Sequence, residues 1–64
     1  MNEKKLHDAR EAKQLSVREV AIETGLTEQT IREIEKGRNK NPTISTVKTL
    51  CDFYEIPISE VLSE

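Results

Sequence analysis

The stretch SVREVAIETGLTEQTIREIEKG, residues 16–37, holds two helix-like runs separated only by Gly25, Leu26 and Thr27. Each run carries its own boundary signals. Ser16 can cap the first run through its hydroxyl while Glu19, three residues on, reaches back to the Ser16 backbone. Gly25 can end that helix because glycine takes the left-handed conformation at little cost, and Thr27 caps the next. So short a break, with glycine first, predicts two helices at a steep angle rather than an antiparallel pair. The small side chain of Ala21 suits the close crossing this requires. The second run has one narrow apolar stripe, Ile31 and Ile34, before Gly37, and so shows most of its surface to water.

Similar patterning extends to both ends. Leu6, Ala9 and Ala12, with Leu15 beyond, predict a first helix over residues 3–13. The second helix is expected to bury Val17, Val20, Ala21 and Thr24. After the polar loop RNKNPT, Thr43 caps a fourth helix with Ile44, Val47, Leu50, Cys51 and Tyr54 on one face. EIPISEVLSE predicts a short closing helix with Pro57 near its first turn and Ile58, Val61 and Leu62 packing back. No segment has the alternation of a strand, and there is no internal repeat. The expected fold is all-α, five short helices in one compact domain over residues 1–64.

At 64 residues the core must be small. Hydrophobic and charged residues each make up 34%, which disfavours both disorder and a membrane span. The amino terminus, MNEKKLHDAREAK, lacks the apolar middle of a signal peptide, so a soluble intracellular protein is expected. Cys51 and His7 are the single cysteine and histidine; no intramolecular disulfide can form, and little remains for a metal site or a nucleophile–base pair. No enzyme activity, cofactor, metal or small-molecule substrate is expected. Cys51 reads as a core residue and His7 as a solvated one.

The net charge of −2 argues at first against a polyanionic partner. Its distribution argues otherwise. Lys36, Arg38, Lys40 and Lys48 fall in a stretch without acidic residues, and Asp52, Glu55, Glu60 and Glu64 follow without basic ones. Residues 1–48 then present a modestly positive surface. A helix propped outward on a shorter neighbour can enter the major groove of DNA, with the preceding helix across the phosphate backbone.

The order Arg10, Ser16, Ala21, Gly25, Ile31, Glu35, Gly37, Pro42 and the apolar run from Ile44 to Tyr54 resembles the lambda-repressor-like helix-turn-helix family, of the Cro/C1 or XRE type. The likeness covers nearly the whole chain. It implies a five-helix DNA-binding domain, sequence-specific binding of a double-stranded, near-palindromic operator, usually by a homodimer, and a transcriptional regulator, most simply a repressor, working in the cytoplasm at the nucleoid. It also places helix one beside the end of helix three, which implies a structural pair of Arg10 with Glu35.

Lying off the Ile31/Ile34 stripe, Glu28, Gln29, Arg32 and Glu33 are the candidate base readers, with Lys36 outward beside them. A glutamine amide can pair with adenine N6 and N7, an arginine with guanine or a phosphate, and a glutamate only with donors such as cytosine N4. Candidate phosphate contacts are Gln14, Ser16 and Arg18 around the start of helix two, Thr27 and Lys36 on helix three, and Arg38, Lys40 and Thr43 near the start of helix four. Ile22 and Phe53 fall off their stripes; Phe53 with Pro57 and Ile58 is a candidate dimer contact. The rival reading is a protein-interaction module, such as an antitoxin or antirepressor-like partner, favoured by the net negative charge and by Glu28 and Glu33.

Overall fold

The computed structural model describes residues 2–38 and 43–62, and in it five helices follow one another: α1 (Lys4–Ala12), α2 (Val17–Thr24), α3 (Glu28–Glu35), α4 (Ile44–Tyr54) and α5 (Ile58–Leu62). Three of them start on the expected hydroxyls. Ser16, Thr27 and Thr43 each adopt extended backbone and accept the amide of the residue three positions on. At Ser16 the bond is reciprocated, Glu19 Oε1 accepting the Ser16 N–H at 3.0 Å. Carboxylate acceptance of that backbone N–H, and then of the Ser16 side chain, holds the Glu19 pKa below the ordinary glutamate range.

Helix ends are equally local in origin. α2 ends at Gly25 (φ 79°), whose N–H donates to Ala21 O at 2.9 Å. The turn is stiffened by Thr24, whose hydroxyl donates to Val20 O and accepts the Leu26 N–H. After α3, Gly37 (φ 70°) closes a Schellman motif: Arg38 N–H donates to Glu33 O and Gly37 N–H to Ile34 O. The same pair of bonds closes α1 around Gln14 (φ 57°) and α4 around Glu55 (φ 60°). In both, a residue with a Cβ holds a backbone conformation that glycine takes more cheaply.

The core draws on every helix: Leu6 from α1, Val20 from α2, Ile31 and Ile34 from α3, Val47, Leu50, Cys51 and Tyr54 from α4, and Val61 from α5. No buried polar or charged residue accompanies them among the described residues. Four of the nine come from α4, which packs against α1, α2 and α5. A further tie joins the chain's two ends, Asn2 N–H donating to Val61 O. Burial pushes the Cys51 thiol pKa up, with Asp52 adding to it, so this cysteine is a packed apolar group. Among the described residues, no helix is long and apolar enough to cross a membrane.

Four packing expectations need correction. α1 begins at Lys4 and ends at Ala12, and Ala12 is exposed because the core meets α1 only at Leu6 and along one side at Ala9. Ile44 is 60% exposed: it is the first residue of α4, and its Cα–Cβ bond points back past the neighbours that cover Val47 one turn later. Leu62 is exposed at the end of α5, where Val61 alone faces inward. Phe53, expected outside, is half-buried and packs edge-on against Tyr54 with ring centroids 5.2 Å apart.

Replacing Glu55 by glycine is expected to raise stability by about 0.5–1 kcal/mol, because relief of the left-handed strain outweighs glycine's added chain entropy. Thermal melting checks this: the midpoint should rise by several degrees. Gly37→Ala should lower it, through its φ of 70° more than through the 2.8 Å approach of an added Cβ to the flexible Glu3 Oε1.

Candidate nucleic-acid interface

The rotation of α3 is fixed by its apolar stripe, because Ile31 and Ile34 are both fully buried. What remains outward is the polar set expected from the sequence. Gln29, Arg32 and Lys36 are exposed, and Glu28 and Glu33 are half-buried at the edges. Gln29, Arg32, Glu33, Lys36 and Arg38 line one open groove, so residues from the whole helix and from the segment after it converge. Three cations face one carboxylate there, which leaves the groove positive although the chain is acidic overall.

The candidate readers pair with one another. Gln29 Nε2 donates to Glu33 Oε1 at 2.9 Å, and Arg32 Nη2 to Glu28 Oε1 at 2.8 Å. Both bonds join residues four apart on an exposed helix face, where such pairs contribute a few tenths of a kcal/mol. A base edge or phosphate offering a better partner can therefore displace them at little cost.

Behind this face, the Arg10 guanidinium donates Nε to Glu35 Oε2 and Nη2 to Glu35 Oε1, both at 2.9 Å, and Nη1 to Leu15 O at 3.0 Å. The side chains of Arg10 and Glu35 are 12% and 6% exposed. The hydrogen bond to Glu35 raises the Arg10 pKa against the lowering effect of burial, so the guanidinium stays cationic. Arg10 thus joins the end of α3 to the segment entering α2. Tyr54 Oη is buried nearby without a hydrogen-bond partner among the described residues. Burial, reinforced by Glu35 and opposed by Arg10, pushes its pKa up to about 12, so it stays neutral at working pH.

Three helix starts offer backbone donors. In α2, α3 and α4 the first intrahelical bond is made by Val20, Ile31 and Val47, and the amide just before each is taken by the cap. The amides of Val17 and Arg18, Glu28 and Gln29, and Ile44 and Ser45 precede these and have no intrahelical acceptor. Around them the structure sorts the candidate phosphate contacts. Gln14, Ser16, Arg18, Thr27, Arg38 and Thr43 are exposed, and Gln14 is held outward by its left-handed backbone. Ser16 is less free than its position implies, since Glu19 stands on the same helix start and brings a competing negative charge. The Thr27 hydroxyl donates to Thr30 Oγ1 at 2.8 Å, which moves the free proton to Thr30. Lys40 lies outside the described residues.

Sequence reasoning missed the cluster at the start of α4. Thr43 Oγ1 lies 2.7 Å from Thr46 Oγ1 and 3.4 Å from Ser45 Oγ, so three hydroxyls converge where one was expected. The run TIST was the available signal. Of the proposed dimer set, Pro57 is exposed and Phe53 and Ile58 are half-buried. Phe53 lines a groove with Leu15, Glu19, Ile22 and Glu23. Ile22 is 68% exposed, as expected from its place off the stripe.

A family model described as a helix-turn-helix domain matches residues 4–62. The chain is 37% identical over 60 residues to the cryptic phage CTXphi transcriptional repressor RstR of Vibrio cholerae, covering 94% of this chain and 53% of that protein. It is 29% identical over 58 residues to the uncharacterized HTH-type transcriptional regulator RghRB of Bacillus subtilis (strain 168), covering 91% and 42%. The chain therefore spans about half the length of these curated relatives. No solved structure matches it at comparable significance.

Glu35→Ala is expected to cost about 3 kcal/mol, because it strands a desolvated guanidinium, and Arg10→Met with Glu35→Leu should regain most of that loss. Urea denaturation checks both; a Glu35→Ala midpoint equal to wild type would show that the pair does not hold the fold. At the start of α2, the depressed Glu19 pKa gives a contribution that is present above the ordinary glutamate range and lost as pH falls through Glu19's own lower value. Glu19→Gln should flatten the acid limb of a stability–pH profile.

Proposed function

This chain belongs to the helix-turn-helix domain family, and we propose that it is a sequence-specific double-stranded DNA-binding transcriptional regulator that lays α3 in the major groove. The observation that carries this reading is the groove itself, where Gln29, Arg32, Glu33, Lys36 and Arg38 project together from a helix whose other side is locked into the core. Side chains with amide, guanidinium and carboxylate ends are the groups that read base edges, and the cations add sequence-independent affinity.

In this arrangement Gln29 meets an adenine, Arg32 leaves Glu28 for a guanine or a phosphate, and Lys36 and Arg38 grip the backbone. The open amides at the starts of α2 and α4, with Arg18 and the Thr43, Ser45 and Thr46 hydroxyls, hold the flanking phosphates and set the register. Repression is the mode we favour, since one relative is named a transcriptional repressor. Two copies would place their α3 helices about 34 Å apart on a near-palindromic site, one helical turn of DNA. The setting is the cytoplasm, at the nucleoid, and no catalytic step or cofactor enters.

A second reading, a protein-interaction module on the same scaffold, is favoured by the net charge of −2 and by two carboxylates on the presented face. Salt separates the two. A duplex binder with six phosphate contacts is expected to lose about a thousandfold in affinity between about 50 and 200 mM salt. Selection from a random duplex pool followed by titration against salt tests this, with Gln29→Ala expected to lose about tenfold discrimination at one adenine position. Affinity for a partner chain with no salt-sensitive duplex binding would decide for the interaction module.

A further inference from the structure

On the outward face of α3 the two carboxylates stand in different states. Glu28 is ion-paired with Arg32 at 2.8 Å, whereas Glu33 accepts from the uncharged Gln29 amide at 2.9 Å and has no ion pair among the described residues. A carboxylate without an ion-pair partner in a groove that meets DNA is repelled by phosphates and by every acceptor on a base edge. Guanine offers O6 and N7 in the major groove, and thymine offers O4. Among base-edge groups, only an exocyclic amino group, cytosine N4 or adenine N6, can satisfy it.

The bond to Gln29 has a second effect. A free glutamine amide can turn over, exchanging its oxygen and nitrogen, and reading adenine needs one orientation, with Oε1 accepting from N6 and Nε2 donating to N7. Glu33 has no proton to give, so it can hold only the nitrogen side of the amide. It takes one of the two Nε2 hydrogens and leaves the other hydrogen and Oε1 for the base. Gln29 and Glu33 stand four residues apart on the helix and their side-chain ends meet at 2.9 Å, so the bases they reach are neighbours.

We infer that Glu33 is a positioning and specificity residue: its carboxylate fixes the Gln29 amide for adenine and offers its remaining lone pairs to an amino-bearing base nearby, so that two positions of the site are read as one unit. This rests on the proposal that α3 enters the major groove. Selectivity then comes from exclusion as much as from attraction, since guanine or thymine at the second position leaves a buried charge facing an acceptor.

The test is selection from a random duplex pool with wild type, Glu33→Ala, Glu33→Gln and Gln29→Ala, followed by titrations on single-base variants of the selected site. Wild type is expected to select adenine at one position and cytosine or adenine at its neighbour. Glu33→Ala should relax both, with adenine discrimination falling about tenfold. Glu33→Gln carries a donor as well as an acceptor and can hold either side of the Gln29 amide, so it should relax both positions while keeping or raising affinity for the duplex; this split between discrimination and affinity separates positioning from a general loss of binding. If Glu33→Ala melts below wild type, the Glu33→Gln split decides. An adenine preference unchanged in Glu33→Ala, a neighbour preference unchanged in Glu33→Gln, or guanine or thymine selected beside the adenine overturns the inference while leaving α3 as the reading element. A wild-type chain that selects no sequence rejects the DNA reading itself, and this inference with it.

Discussion

The contact between Arg10 and Glu35 is the constraint on which the geometry of α3 depends. α3 has only eight residues and two buried side chains, too little apolar surface to fix its direction alone. The guanidinium of Arg10 supplies the missing restraint by gripping the last residue of α3 with two parallel hydrogen bonds and, with its remaining edge, the Leu15 carbonyl ahead of α2. One side chain therefore ties the end of α3 to the segment leading into α2. Such a pair gains little net free energy, because desolvating its charges offsets most of their attraction, but it makes other orientations of α3 expensive. It acts chiefly on direction, which is what the proposed fit of α3 into a groove requires.

Fixing α3 leaves its outer face free to carry polar chemistry without weakening the core. Glu28 with Arg32 and Gln29 with Glu33 satisfy one another in water through bonds that are weak because they are exposed. A face built in this way can exchange its internal partners for base edges one by one. The negative total charge stops being an objection once its placement is seen. Asp52 pairs with Lys48 and Glu60 approaches Lys5, while the groove on α3 is lined by three cations, Arg32, Lys36 and Arg38, and one carboxylate, Glu33.

Much of this was legible in the sequence, because caps and breaks are local chemistry. Ser16, Thr27 and Thr43 mark helix starts through their hydroxyls, and Gly25 and Gly37 mark ends through their backbone freedom. Gln14 and Glu55 end helices in the same conformation without announcing it, since nothing in a glutamine or glutamate signals a left-handed residue. Periodicity gave the phase of each apolar stripe but not its length. Ala12, Ile44 and Leu62 continue their stripes past the point where a neighbouring helix covers them. The Arg10–Glu35 pair spans 25 positions, beyond any local rule, and only the family likeness pointed to it. The pairing of Gln29 with Glu33 follows ordinary four-residue spacing, yet reading each residue separately as outward concealed it.

The central claim is that α3 is the element that meets DNA, and backbone amide chemical shifts of the isotope-labelled chain during titration with its selected duplex test it most directly. If the claim holds, the largest changes run along Glu28–Lys36 and at the starts of α2 and α4, while amides on the Ile22 and Phe53 side stay in place. Changes concentrated around Leu15, Ile22 and Phe53, with α3 unmoved, would contradict it.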